Sequence, residues 1–449
     1  MSGGLSKVDE ATQWPEALGR VPSRNSGLDN RSRLVKILAS TRALGSACMR
    51  VTALPFVAAC IGRIAWSAQS ADAALLVLML MPILWGAANS RLHAGAVMLA
   101  YIMATGVNAP AALAVFNQWS LYSAWLIWGV YSVIYAGLWT LCWSKNASRR
   151  AWGMLMAIVI LTLPPFGTTY YGSLLTACGW LFEGWGIWGI AAYILLMMLA
   201  AAAPSAGALV MGVVVLMAFS TTTDPRQLTW PDVTPVHTAL PRFSDSDVQA
   251  RYDRTFELLD RAQAALNSPG AAILFPENSL GASEVRTQWL WDEVAHRYSI
   301  AGKTLIIGGA HVHPDQTADN TLILMGATRG ILRASATVPI GSWHPWQQQG
   351  HMQSRWFDTP DTLHITLDGK SVRLGAIFCW EELLPWSWMR YGVLGVDRIA
   401  VVSNTWFDAS GDVDASQKRS SQAWARLWGM KFTRAVNKAS PYRLTTLSQ

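Results

Sequence analysis

Charge is what this chain has least of. Of its 449 residues only 14% are Asp, Glu, Lys or Arg, while 52% are hydrophobic and 24 are Trp. An ordinary soluble protein carries about 25% charged residues, so the composition points to a part of the chain that faces lipid. Cysteine is also sparse: Cys48, Cys60, Cys142, Cys178 and Cys379. No close CxxC pair or Cys/His cluster occurs, which argues against a zinc or iron–sulfur site, so no metal or cofactor is expected. The GxSxG, P-loop, GxGxxG and HExxH patterns are missing too, which argues against serine-hydrolase, nucleotide and zinc chemistry. No apolar stretch starts near Met1, so there is no signal-peptide pattern.

What is present falls into two halves. Residues 1–43 read as a polar tail rich in Ser, Gly and Arg. Apolar runs then follow near 46–66, 72–89, 94–116, 119–142, 152–170, 186–203 and 205–221. Each approaches the ~20 residues that cross a bilayer, so a transmembrane bundle of about seven helices is expected over 44–221. The net charge of +7 sits largely in the tail and short loops, which fits membrane topology rather than a nucleic-acid partner. Arg20, Arg24, Arg31, Arg33, Lys36 and Arg42 mark the tail as cytoplasmic; Arg91, Lys145, Arg149 and Arg150 mark two loops on the same side. An odd number of spans puts everything after residue 221 outside the membrane, which in a bacterial inner membrane is the periplasm. Leu163–Trp185, rich in Gly, Pro and aromatics, reads either as a lateral entrance for lipid or as a plain interfacial loop.

Composition changes at Thr221. A linker and first strand are expected over 222–240, then a soluble α/β domain over 241–449. Val248, Tyr252, Phe256, Leu259, Ala262 and Leu266 have helical spacing, and are expected to form the buried face of a helix. Strands are expected at 271–275, 304–310, 320–326, 330–340, 374–378 and 397–404, and helices at about 284–299 and 416–437. Strands alternating with helices indicate a layered α/β domain.

Two strand ends carry the chemistry. Leu374–Phe378 runs into Cys379, Trp380, Glu381 and Glu382. Strand ends in open α/β sheets face a crevice, so Cys379 is a candidate nucleophile, against the plain reading of a small buried hydrophobe. Past residue 178 it is the chain's only cysteine, so in an oxidising space it has no partner to pair with. Ala271–Phe275 runs into Pro276, Glu277 and Asn278. A carboxylate at the mouth of an apolar layer has its pKa raised by desolvation and can take a thiol proton, so Glu277 is a candidate general base, against a solvated loop acid. Glu381 reads as orienting a base, as bonding a substrate amine, or as a surface charge.

A membrane bundle followed by LFPEN at 274–278, VPIGSWHPW at 338–346, FCWEELLPW at 378–386 and SNTWF at 403–407, with LPPFG at 163–167 and an expected helix at 422–437, resembles the apolipoprotein N-acyltransferases. It resembles more closely the TraB proteins of conjugative plasmids, a related branch. The resemblance implies a membrane bundle joined to a four-layer αββα carbon–nitrogen hydrolase (nitrilase-type) domain. It implies a Glu–Lys–Cys triad in which Cys attacks an acyl donor. Glu277 and Cys379 match the triad, and Glu381 matches an accessory Glu. It also implies a phospholipid acyl donor, a lipoprotein or other amine acceptor, and conjugation machinery as partners. The lysine does not match: Ala334 holds its position, and Arg333 beside it is the candidate replacement cation, though neighbouring strand residues face opposite ways. The chain also lacks the closing span, so its C-terminus is expected to be truncated or diverged. Three readings follow: a Cys-dependent acyltransferase, an amide hydrolase, or a docking protein with a decayed triad.

Overall fold

The computed structural model describes residues 52–221, 228–241, 248–281, 284–339, 341–344, 351–367 and 369–439. The expected tail and the last ten residues lie outside the described residues.

The first half is helical: α1 (Thr52–Trp66), a 3₁₀ segment (Asp72–Met79) leading into α2 (Leu80–Gly86), α3 (Arg91–Thr105), α4 (Ala109–Asn117), α5 (Leu121–Cys142), α6 (Ala147–Thr162), α7 (Cys178–Leu181), α8 (Ile187–Ala202) and α9 (Pro204–Thr221). Polar residues between the apolar runs start these helices. Ser90 Oγ accepts from the His93 N–H, Ser120 Oγ from Ser123, and Asn146 Oδ1 from Arg149, each satisfying a first-turn donor.

Helices lie where the spans were expected, but most are shorter. Among the described residues one, α5, is long and apolar enough to cross a membrane, or two if α3 and α4, bent by 56°, count as one span. The second expected span is partly 3₁₀, which splits its length into two short pieces. A bundle of seven full spans is therefore not what length and composition of the folded helices support.

The second half contains β1 (Val233–Pro235), α10 (Val248–Ala265), β2 (Ala272–Leu274), α11 (Glu284–Ile300), β3 (Thr304–Val312), β4 (Ala318–Gly326), β5 (Gly330–Arg333), β6 (Leu363–Leu367), β7 (Lys370–Phe378), α12 (Pro385–Val393), β8 (Arg398–Thr405), α13 (Asp412–Trp428) and β9 (Lys431–Lys438). Two mixed sheets result, ordered β1-β2-β3-β4-β5 and β6-β7-β8-β9. In the first, β1, β2 and β3 are parallel and β4 and β5 return antiparallel; in the second, β6 and β7 form an antiparallel pair and β7, β8 and β9 are parallel.

Strand alternation sorts the side chains into layers. Ile306 of β3 and Leu374, Ala376 and Phe378 of β7 meet in an apolar core between the sheets. Leu305 and Ile307 point the other way, onto α10 and α11 through Leu258, Ala262 and Val294. Ile377 of β7 and Ile399 and Val401 of β8 join a third core with Trp388 of α12 and Trp424 of α13, continuous with the helical half through Cys178, Tyr193 and Met197. The order is helices, sheet, sheet, helices, as in an αββα sandwich whose last layer is also covered by the helical half.

Three local expectations need correction, and one strand was not foreseen. The strand expected over 330–340 ends at Arg333, where β5 leaves the sheet. The helix expected over 416–437 is α13 followed by β9. Gly429 takes φ +65°, a left-handed C-cap, and Phe432, Thr433 and Val436 then pair in parallel along β8. Strand β6 was not anticipated. On α10 the buried face is Arg251, Thr255, Leu258, Leu259 and Ala262, while Val248, Tyr252 and Phe256 are exposed.

Candidate active site

Cys379 and Glu277 come from opposite sheets. β7 carries the cysteine at its C-terminal end, and β2 carries Pro276-Glu277-Asn278 just past its own. Both exits are sharp. Cys379 has φ +34° and Asn278 φ +51°. A left-handed non-glycine backbone costs on the order of 1–3 kcal/mol and persists where the surroundings enforce it, commonly at reactive centres. At Cys379 the turn swings the side chain off the sheet end and into a 3₁₀ segment, Cys379–Leu383.

The loop that carries Glu277 is pressed onto β3. A Cβ at Gly308 would lie 2.4 Å from Pro276 O and 2.7 Å from Glu277 Cα, so only glycine allows this approach. From outside, Arg254 of α10 donates to the Asn278 carbonyl at 2.9 Å and the Ser279 carbonyl at 3.0 Å.

The thiol and the carboxyl lie close enough for each to shift the other's ionisation. Asn320 Nδ2 donates to Glu277 Oε1 at 2.5 Å. Burial raises the Glu277 carboxyl to about 7; the Asn320 and Cys379 hydrogen bonds pull it down, and the charges of Glu382 and Glu381 push it up. Burial and the Glu277 charge hold the Cys379 thiol well above its usual range, against hydrogen bonds from the Asn404 backbone and the Gln417 side chain. The resting pair is thus a neutral thiol beside a carboxyl that ionises near neutrality, which suits proton transfer at physiological pH.

Glu381 plays a different part from any read in the sequence. Its Oε1 accepts from the Ser335 and Ala336 N–H groups at 2.7 Å each, and its Oε2 from Phe378 N–H at 3.0 Å. At 1% exposed it is no surface charge. It ties the segment after β5 to the end of β7, so it is a positioning residue. Burial still lifts its carboxyl to about 7 against those three donors.

Arg333 is not brought to the thiol. Its guanidinium bonds Asp361 at 2.9 Å, on a side chain 40% exposed. Ala334, where the resemblance expects a lysine, is buried between the sheets. The hydrogen bonds described for Cys379 Sγ come from neutral groups.

Three further site residues escaped the sequence reading. Asn320 begins an apolar strand segment, and Gln417 sits inside an expected helix; neither has a local signal. Glu382 was visible as a second acid, but its partners were not. It is fully buried, and bonds Arg434 Nε at 2.7 Å, Arg434 Nη2 at 3.1 Å, Ser421 Oγ at 2.7 Å and Ser403 Oγ.

The Leu163–Trp185 segment is packed inside the protein over most of its length rather than standing as a free loop. Gly167, Thr168 and Tyr170–Trp180 are buried. Trp380 Nε1, one residue past Cys379, donates to Thr168 O at 2.9 Å, and Tyr171 OH bonds Ser416 Oγ of α13 at 3.1 Å. Gly179 lies so close to α13 that a Cβ would sit 1.7 Å from Ala423 O. Asp412, at the start of α13, accepts from Arg63 Nη1 at 2.5 Å, Asn108 Nδ2 at 2.5 Å and Ala68 N–H at 2.6 Å. The helical half is bolted to the layer that carries the thiol.

Two face-to-face sheets with outer helices thus form an αββα sandwich that carries a thiol and a carboxyl at its strand ends. The chain is similar over most of its length to conjugal transfer protein TraB of Agrobacterium fabrum, with 28% identity over 407 residues, covering 86% of this chain and 93% of that protein. It is likewise similar to a probable conjugal transfer protein TraB of Sinorhizobium fredii, 26% identical over 386 residues, covering 84% and 95%. No family model matches. Among solved structures, an amidase from Nesterenkonia sp. aligns with TM-score 0.35 and 14% identity over 46% of this chain and 75% of that one. A glutamine-dependent NAD+ synthetase from Acinetobacter baumannii aligns with TM-score 0.25 over 38% and 31%.

Proposed function

We propose that this chain is a Cys-dependent acyltransferase of the carbon–nitrogen hydrolase type, held at the bacterial inner membrane and serving plasmid conjugal transfer. The Cys379–Glu277 pair, a thiol and a carboxyl brought together from the ends of two sheets, carries the reading. Glu277 accepts the thiol proton, and the sulfur attacks an acyl carbonyl carbon. The S–C bond forms, the carbonyl π electrons move to oxygen, and collapse expels the donor's alkoxide, which takes the proton back from Glu277. An amine then attacks the thioester, forms the amide and releases the thiol.

A phospholipid donor is favoured by the apolar surface of the helical half to which the site is joined. Large apolar side chains stand exposed along the helical half: Leu126, Val130, Val133 and Leu141 on α5, Trp152 and Met156 on α6, Leu195 and Leu199 on α8, Leu209 and Leu216 on α9. Apolar area on that scale marks a lipid or protein contact surface, and the same half is hydrogen-bonded to the turn that carries Cys379. A cytoplasmic basic tail followed by an odd number of spans would put the site on the periplasmic side. The similarity to the TraB proteins supports the conjugation context.

A second reading has its own support: Ala334 offers no charge, and Arg333 is engaged elsewhere. In that reading the domain is a docking component of the conjugation machinery. One experiment separates them. Purified full-length protein is incubated with phospholipid in detergent, and Cys379 is examined by intact and peptide mass. A lipid acyl adduct on wild type that is absent from Cys379→Ser and Glu277→Gln supports acyl transfer. A wild-type thiol that never acylates overturns it in favour of docking.

A further inference from the structure

The sulfur of Cys379 has a polar neighbour besides Glu277. Gln417 of α13, 1% exposed, directs Nε2 at Sγ, 3.4 Å away. Its Oε1 accepts from Arg434 Nη2 at 3.2 Å. Arginine has only donors, so the amide oxygen must face Arg434, and the NH₂ end is thereby turned onto the sulfur. The guanidinium cannot swing to offer another arrangement. Nε and Nη2 hold Glu382, and Nη1 holds Asp414 Oδ1 at 2.6 Å. A fixed ion-pair network in β9, α13 and the turn after β7 thus orients one neutral amide.

We propose that Gln417 is a catalytic residue that stabilises the Cys379 thiolate by donating Nε2–H to Sγ, and that Arg434 is the positioning residue that fixes the amide's orientation. The inference rests on Cys379 being the nucleophile. When the S–H proton moves to Glu277, negative charge appears on sulfur, and the Gln417 donor strengthens its bond to that charge. A neutral donor suits the place, because a second cation beside Arg434 would raise the cost of burying it. A merely structural glutamine would satisfy Arg434 and leave the ionisation of the thiol alone.

The test reads that ionisation without any substrate. Full-length protein in detergent is alkylated with iodoacetamide from pH 6 to 10, and Cys379 is followed by peptide mass, which separates it from the other four cysteines. A hydrogen bond to a charged group is worth enough to move a pKa by about one unit. Below the thiol's pKa the rate follows the thiolate fraction, so Gln417→Leu is expected to slow Cys379 alkylation roughly tenfold across pH 6 to 10. Gln417→Glu keeps the length and the bond to Arg434, and sets a carboxylate against the sulfur, so it slows alkylation at least as far. If Gln417→Leu fails to fold, Gln417→Glu decides. An alkylation rate unchanged from wild type in a folded variant overturns the assignment. The thioester experiment on wild type distinguishes the two failures: acylation with an unchanged alkylation rate removes Gln417 alone, and absent acylation removes the nucleophile reading itself.

Discussion

Glu277 and Glu382 flank the same cysteine turn, and their surroundings make different groups of them. Glu382 faces the second sheet and α13, where Arg434 grips both oxygens and Ser403 and Ser421 fill the rest. Its charge is answered on every side, so it is a strut. Glu277 faces the gap between strand ends, where Asn320 and the thiol are its neutral partners. Burial there is only partly compensated, and the carboxyl rises to about 7. A buried acid with a fixed cation supports the fold; a buried acid without one is a proton acceptor near neutral pH.

Breaking the strut should produce the largest change. Glu382→Gln leaves Arg434 with Asp414 as its remaining acidic partner in the network, and loss of one partner from a buried pair costs about 3–5 kcal/mol. Denaturant unfolding of the detergent-solubilised protein would read it; a loss below 1 kcal/mol would show that Asp414 alone suffices for Arg434.

Glu277→Gln should do the reverse, removing chemistry and adding stability. Thioester formation is expected to fall by about 10²–10⁴-fold, the range for a lost general base. The folded pKa is raised, so the native state holds a proton that the unfolded state releases at lower pH. Stability from this group is full below about pH 4 and is lost as pH rises through about 7. The isosteric amide escapes that loss. At pH 8 the variant should be the more stable by on the order of 3 kcal/mol, and at pH 4 the difference should vanish. Equal stability at both pH values would contradict the assigned environment.

Gly308→Ala sharpens the comparison from the backbone. The added methyl meets the Pro276-Glu277 loop and nothing of the Glu382 network. It should cost roughly 1–3 kcal/mol through overpacking and slow thioester formation by displacing the base. Unchanged acylation would mean the loop position is not what aims Glu277. The smallest effect is expected for Arg333→Ala, an exposed ion pair worth less than about 1 kcal/mol, with acylation unaltered. A large drop in acylation would reinstate Arg333 as the missing cation.

Elements with strong local patterns were legible in the chain: β3, β7, β8 and α11 fall close to where periodicity and β-branched runs put them. The boundary between α13 and β9 was not, because the alternating residues past Gly429 become a strand only when β8 offers its edge. The face of α10 was misjudged for a similar reason: Val248, Tyr252 and Phe256 have the right spacing, but α11 and the first sheet meet the neighbouring stripe instead. In the helical half, hydropathy found the segments and could not see that 3₁₀ turns and bends shorten them.

The site divides the same way. By itself the sequence marked Cys379 and Glu277, since a thiol and an acid at the ends of buried strands are visible in a linear string. Which acid would meet a cation, and which only neutral groups, lay in partners 21 to 52 positions away from Glu382 and 43 from Glu277. Tertiary structure alone sent Glu381 to three backbone amides, Arg333 to Asp361 and Gln417 to the sulfur. Composition sets how many polar groups must be buried, but only the folded chain decides which donor each of them meets, and that choice fixes its protonation and its role.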